Sequence, residues 1–230
     1  MVRKGTEKDI AAVAAIYDRI HTAEERGETA IGWVRGIYPT EDTARAAWKA
    51  GELFVMDDET GTVVAAARIN QEQVSAYDEV DWLNRVPPEQ VMVLHTLVVD
   101  PARKGKGYGT EFAGFYEAYA RANGCLCLRI DTNVKNTSAR KLYKRLGYRE
   151  SGVIPCRFNG IPDVNLVCLE KLLEGYQPAY KNEISTAKEK WIDELERLDH
   201  ITFSDKKSWK PEINDANADS AKRFAQDVHA

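Results

Sequence analysis

The stretch Leu97-Val98-Val99-Asp100-Pro101-Ala102-Arg103-Lys104-Gly105-Lys106-Gly107-Tyr108-Gly109-Thr110 decides how this chain is read. An apolar strand empties into a basic, glycine-rich turn that opens a helix. Residues 104–110 can set several main-chain N–H groups and the positive end of that helix around one anion, and glycine lets the backbone approach with no Cβ in the way. A turn of this kind predicts a phosphorylated cofactor.

Working outward, residues 91–99 form the strongest strand pattern, residues 107–123 the strongest helix and residues 125–131 the next strand, a strand–helix–strand unit with parallel strands. Upstream, Ile10, Val13, Ile16 and Ile20 recur at helical spacing in residues 9–25, and an alanine-rich helix is expected from Thr40 or Glu41 to Gly51. Residues 53–56 and 63–69 read as a hairpin around Asp57-Asp58-Glu59-Thr60-Gly61. Residues 70–90, with Tyr77, Trp82 and Pro87-Pro88, read as an irregular connection placed to wall a pocket. Downstream, a helix over residues 136–146 stops at Gly147, and strands are expected over 148–158 and 164–169. The element order predicts an α+β domain with helices packed on a mixed sheet.

The texture changes after Glu174, so we expect a domain over residues 1–171 and a partly helical extension over 172–230. In the extension Thr186 and Glu189 have capping-box spacing, and Trp191, Leu195 and Leu198 share a helical face. That stripe is expected to pack on the main domain or across a homodimer.

With 36 acidic and 32 basic side chains the net charge is -4, which gives no general attraction to nucleic acid or to an anionic membrane. No apolar run reaches the roughly 18 residues of a membrane span, and the first residues lack a signal pattern, so a cytoplasmic location is expected. Cys125, Cys127, Cys156 and Cys168 have neither zinc nor redox spacing and are read as reduced thiols. No metal is expected from His21, His95, His200 and His229.

Gly105, Gly107 and Gly109 raise the question of a Rossmann turn, but that fingerprint needs G-x-G-x-x-G directly after a strand, and four residues intervene here. A P-loop fails for want of Gly-Lys-Ser or Gly-Lys-Thr. The turn instead resembles the main motif of the GNAT superfamily of acyl-CoA-dependent N-acyltransferases. Lys104 stands where that family has Arg or Gln, and Gly107 and Gly109 match its two small positions. Lysine keeps the charge and loses the arginine fork, which matters little if backbone N–H groups hold the anion. A second stretch, Asp131 to Tyr148, resembles the family's strand end, Asn-capped helix and Tyr-x-x-x-Gly-Tyr closure, with Asn136 and Ala139 in the N-x-x-A portion. The similarity spans residues 2–171.

The resemblance implies a mixed, largely antiparallel GNAT-like sheet flanked by helices, with acetyl-CoA or coenzyme A as cofactor. It implies cofactor contacts from Leu97, Val98, Val99, Lys104, Gly105, Lys106, Gly107, Tyr108, Gly109, Thr110, Asn136, Ala139 and Tyr143, with the sheet parting beside them. Tyr143 is the residue that assists thiolate departure, against the plainer reading of a half-buried aromatic. His95 is the leading general base, against the plainer reading of a satisfied strand histidine. Trp33, Tyr38, Glu72 and Trp82 are candidates for the acceptor wall, with core packing or solvated charge as their alternatives. The implied reaction is acetyl transfer to a primary amine of a small molecule or of a protein. A coenzyme-A-binding regulatory or interaction module without turnover is the competing class.

Overall fold

The computed structural model describes residues 1–175. The expected extension, with its Trp191 stripe, lies outside the described residues from 176 onward. Seven strands form one sheet in the order β1-β2-β3-β4-β5-β7-β6, in which β1 is Val2–Lys4, β2 Leu53–Asp57, β3 Val63–Asn70, β4 Val91–Val99, β5 Cys127–Asn133, β6 Arg149–Phe158 and β7 Ile161–Leu172. Every neighbouring pair is antiparallel except β4 with β5. The expected strand–helix–strand unit is thus the parallel centre of a largely antiparallel sheet.

Alternation along the strands sorts side chains onto two faces. Phe54, Met56, Met92, Leu94, Leu128 and Ile130 bury against Phe112, Tyr116 and Ala120 of helix α3 (Tyr108–Ala122). Burying each of those large side chains contributes about 1.5–3 kcal/mol. On the other face Leu53, Val55, Ala66 and Val98 meet Ile10, Val13, Ile16, Tyr17 and Ile20 of helix α1 (Ile10–Glu25) and Ala44 and Ala47 of helix α2 (Glu41–Lys49). Thr40 caps α2 through a capping box with Thr43. The isoleucine-rich spacing of α1 is therefore core-facing, as the sequence pattern predicts, and of the alanines in α2 Ala44 and Ala47 are buried while Ala46 is exposed.

On that second face no α-helix among the described residues covers β5 and β7. The connection between β3 and β4 does so as a strap, and its Tyr77 and Val80 pack on Val91, Val93, Cys127 and Cys168. Polar pins hold it down. Trp82 stacks on the buried Arg129 guanidinium at 3.8 Å, Asn84 donates to Glu170 at 2.9 Å, and the Trp82 indole N–H donates to the Tyr77 carbonyl at 3.1 Å. Arg129 and Glu170 face each other beneath it at 3.9 Å. Two buried charges in this arrangement depend on the strap's donors and ring for their compensation.

Strand β1 was not anticipated, since three residues give too short an alternation to register. The chain also stays in the fold past residue 171. Strand β7 ends at Leu172, and the buried Leu173 donates its N–H to the Leu126 carbonyl at 2.8 Å. All four cysteines are free thiols, three of them buried.

Candidate active site

The parallel ladder between β4 and β5 runs only from Val91–Cys127 to Leu94–Ile130. One step further the strands part, and His95 and Asp131 follow on the strap-covered face. A bulge forces the parting. Ala66 pairs with Val98 and Arg68 with His95, so Ala67 alone opposes Thr96 and Leu97. Thr96 sits at φ 53°, a left-handed conformation costly for a β-branched residue, and its hydroxyl is hydrogen-bonded to that of Tyr38.

Beyond the bulge Val98 lies opposite Ala66 and Asp100 donates to the Val64 carbonyl, so alternation turns the main-chain groups of Leu97 and Val99 toward the gap beside β5. Val98 itself faces β3 with its main chain and the α1 cluster with its side chain. Arg19 grips the Asp100 carboxylate in a two-pronged pair at 3.0 and 2.9 Å, which fixes the exit from the strand.

The glycine turn follows. The N–H groups of Gly105, Lys106, Gly107, Tyr108 and Gly109 have no hydrogen-bond acceptor among the described residues, whereas those of Thr110 and Glu111 bond the Gly107 carbonyl. Gly107 takes φ 84° as the residue that opens α3, and a Cβ there would stand in open space. Five successive free donors at a helix start, with exposed Lys104 and Lys106 beside them, make a cradle for phosphate. These residues, with the open edge of β4, fit coenzyme A.

Helix α4 (Thr137–Arg145) closes the other side of the gap. The Asn136 side chain accepts the Ala139 N–H and donates to Thr132, which ties the helix start to the end of β5. Tyr143 is thereby buried, with its ring 5.6 Å from that of Tyr148 and its hydroxyl without a hydrogen-bond partner among the described residues. Burial, with the nearby Asp131 charge, pushes its pKa well up, so the phenol is protonated at neutral pH.

Two cavities meet at the parting. One of about 100 Å³ is lined by Trp33, Leu97, Asn136, Ala139 and Tyr143 among others. The second, about 270 Å³, is lined by Tyr17, Arg68, Glu72, Val74 and His95 among others. Tyr38, Thr96, Asp131, Phe158 and Asn159 belong to both walls. Tyr143 and His95 thus open on adjoining cavities. Trp82 lines neither, because its ring covers Arg129. Glu72 lines the larger cavity while paired with Arg68 at 2.6 Å.

Hydrogen bonding fixes the state of His95. Asn70 Oδ1 accepts the Glu72 N–H at 3.1 Å and also faces His95 Nε2 at 2.8 Å, so Nε2 carries the proton and Nδ1 holds the lone pair. Burial, then the Arg68 charge, pushes the ring pKa down to about 4. The imidazole is neutral at physiological pH.

Asp131 is a carboxylate on the cavity wall that the sequence marks only as the end of a strand. Tyr77 donates to its Oδ2 at 2.8 Å, and burial pushes its pKa up to about 6. No local pattern marks it, since its partner lies 54 positions away.

The acetyltransferase (GNAT) family model matches residues 17–148, which contain the strand, the turn, α3, β5 and α4. The chain belongs to the GNAT acetyltransferase family. GNAT acetyltransferases draw the acetyl group from acetyl-CoA. Among curated relatives, an uncharacterized N-acetyltransferase of Methanocaldococcus jannaschii is 31% identical over 32% of this chain and 33% of its own length, and one of Bacillus subtilis is 30% identical over 39% of this chain and 60% of its own. The chain thus matches a third to three fifths of these relatives. Two solved structures share the fold. A GNAT-family acetyltransferase of Streptococcus agalactiae has a TM-score of 0.63 at 18% identity, over 76% of this chain and 95% of that one. A Salmonella typhimurium protein solved with its cofactor acetyl-CoA has a TM-score of 0.55 at 21% identity, over 77% of this chain and 95% of that one.

Proposed function

We propose that this chain is an acetyl-CoA-dependent N-acetyltransferase that acetylates a primary amine of a small molecule by direct attack. The observation that carries the reading is the meeting of two cavities at the parted strands, with the neutral phenol of Tyr143 on one wall and the neutral imidazole of His95 on the other. Acetyl-CoA, when bound, supplies an activated acyl carbon. Residues 105–109 hold phosphate through main-chain N–H groups, and Leu97 and Val99 offer main-chain groups to the rest of the cofactor. Backbone donors of this kind can also polarise a carbonyl. Nδ1 of His95 accepts the amine proton, directly or through one water, and Tyr143 returns a proton to the departing thiolate. No covalent protein intermediate is required. An acceptor cavity of about 270 Å³ suits a small amine.

The test is product formation by purified protein with acetyl-CoA and a panel of primary amines, read by mass. Acetylated amine supports the reading. Tight acetyl-CoA binding with no product from small amines or peptide N-termini would leave a coenzyme-A-binding module in its place.

A further inference from the structure

We propose that Asp131 is the carboxylate that receives the ammonium group of the acceptor, and that Tyr77 is the positioning residue that holds it there. The inference rests on the acetyl-transfer reading of the cleft and adds the charge that the acceptor carries as it binds; the ammonium gives one proton to solvent before the neutral amine attacks, and His95 takes the second as the N–C bond forms. Asp131 is the one carboxylate common to both cavity walls, beside Tyr38, Thr96, Phe158 and Asn159. Its Oδ2 takes the Tyr77 hydroxyl, and its Oδ1 has no donor among the described residues. An ionised carboxylate only accepts, so an enclosed one with an uncommitted oxygen at a cavity wall is satisfied best by a charged donor.

Among the described residues no charged side chain donates to it. Titratable groups around Asp131 are Tyr77 on the strap, Tyr38, Tyr143 on α4, Cys156 on β6 and Cys168 on β7, all uncharged at neutral pH. His95, neutral, and the mutually paired Arg68 and Glu72 stand on the larger cavity's wall. Burial raises the Asp131 pKa and the Tyr77 hydrogen bond opposes that rise, leaving a carboxylate that is ionised at neutral pH.

Tyr77 is held independently of Asp131. It is 2% exposed, its ring meets that of Trp82 edge-on at 5.0 Å, and Trp82 bonds its carbonyl. Removing the hydroxyl alone therefore changes what Asp131 receives while the packing remains.

The test uses the full chain with 13C-labelled aspartate, in which the Asp131 carboxyl signal is identified by its loss in Asp131→Asn, or in Asp131→Glu should the amide variant fail to fold. Ethylammonium chloride is the probe and sodium chloride at equal ionic strength the control. Ethylammonium is expected to move the signal and lower its titration midpoint, and Tyr77→Phe to raise the midpoint by about one pH unit. Identical titrations in the two salts would overturn the ammonium site, and an unmoved midpoint in Tyr77→Phe would remove Tyr77 from it. An ammonium response without any acetylated product would sink the acetyl-transfer reading alone. Product without the response would sink this inference alone.

Discussion

Enclosure sets the protonation of the three groups at the centre of the cleft, and it sets each one differently. His95 is pushed down to about 4 and Asp131 up to about 6, so in the acid range it is the carboxylate that changes charge nearest neutrality. If Asp131 must be ionised to hold the amine, kcat/KM for the amine falls as pH drops through about 6. His95→Gln is expected to lower the rate at least tenfold while leaving that acid limb in place, which a pH series of initial rates reads. Disappearance of the limb with His95 would return it to the imidazole. Tyr143→Phe keeps the packing and removes the donor, so single-turnover acetyl transfer should slow at least tenfold with acetyl-CoA affinity unchanged within about twofold. Equal rates would take Tyr143 out of the chemical step. Asp131 also bears on stability. Its folded pKa lies above the unfolded value of about 3.9, so the native state binds that proton more tightly, and the associated stability is full below about pH 4 and lost as pH rises through about 6. Asp131→Asn should therefore gain about 1–2 kcal/mol in urea melts at pH 7.5, with the gain vanishing toward pH 4, while acetyl transfer falls. Tyr143 and Asn136 were legible in the sequence because their motif is local. The Tyr77–Asp131 pair was not, because only the strand register and the strap bring it together.

At the scale of elements, the glycine turn depends on what it leaves empty. Gly105 and Gly107 both have φ 84°, and a side chain at Gly107 would project into the space where the phosphate cradle opens. Gly107→Val is expected to weaken acetyl-CoA at least tenfold, or about 1.4 kcal/mol, by calorimetry, besides straining the start of α3. Unchanged affinity in a folded variant would move the cofactor elsewhere. Periodicity made α1, α2, α3 and the parallel centre readable, with ends displaced by a residue or two. The bulge at Thr96 left no trace in the sequence, since the strand pattern runs through it unbroken and only pairing with Ala67 exposes the extra residue. Trp82 shows the converse. Its aromatic ring suited an acceptor wall, and the buried Arg129 beneath the strap claims that ring instead.

At the scale of the whole molecule, the domain needs its last strand to the end. Leu173 is 4% exposed, and Leu173→Ala should cost about 2–4 kcal/mol by thermal or urea unfolding; a negligible change would mean that the residue after β7 carries no core. The change in composition after Glu174 puts the expected domain edge at residue 171, whereas β7 runs to Leu172 and Leu173 is still buried. The sheet is also two half-sheets, β1 to β4 and β5 to β7, joined by a ladder of only four residue pairs. Ligand groups lying along the open edge of β4 would act as the absent rungs of that ladder. Breathing of one half against the other would then be damped at both shores of the gap by a single binding event. Amide exchange should slow on acetyl-CoA addition at Thr132 and Asn133 as well as at Leu97 and Val99, although the two stretches belong to different halves and share no rung of their own.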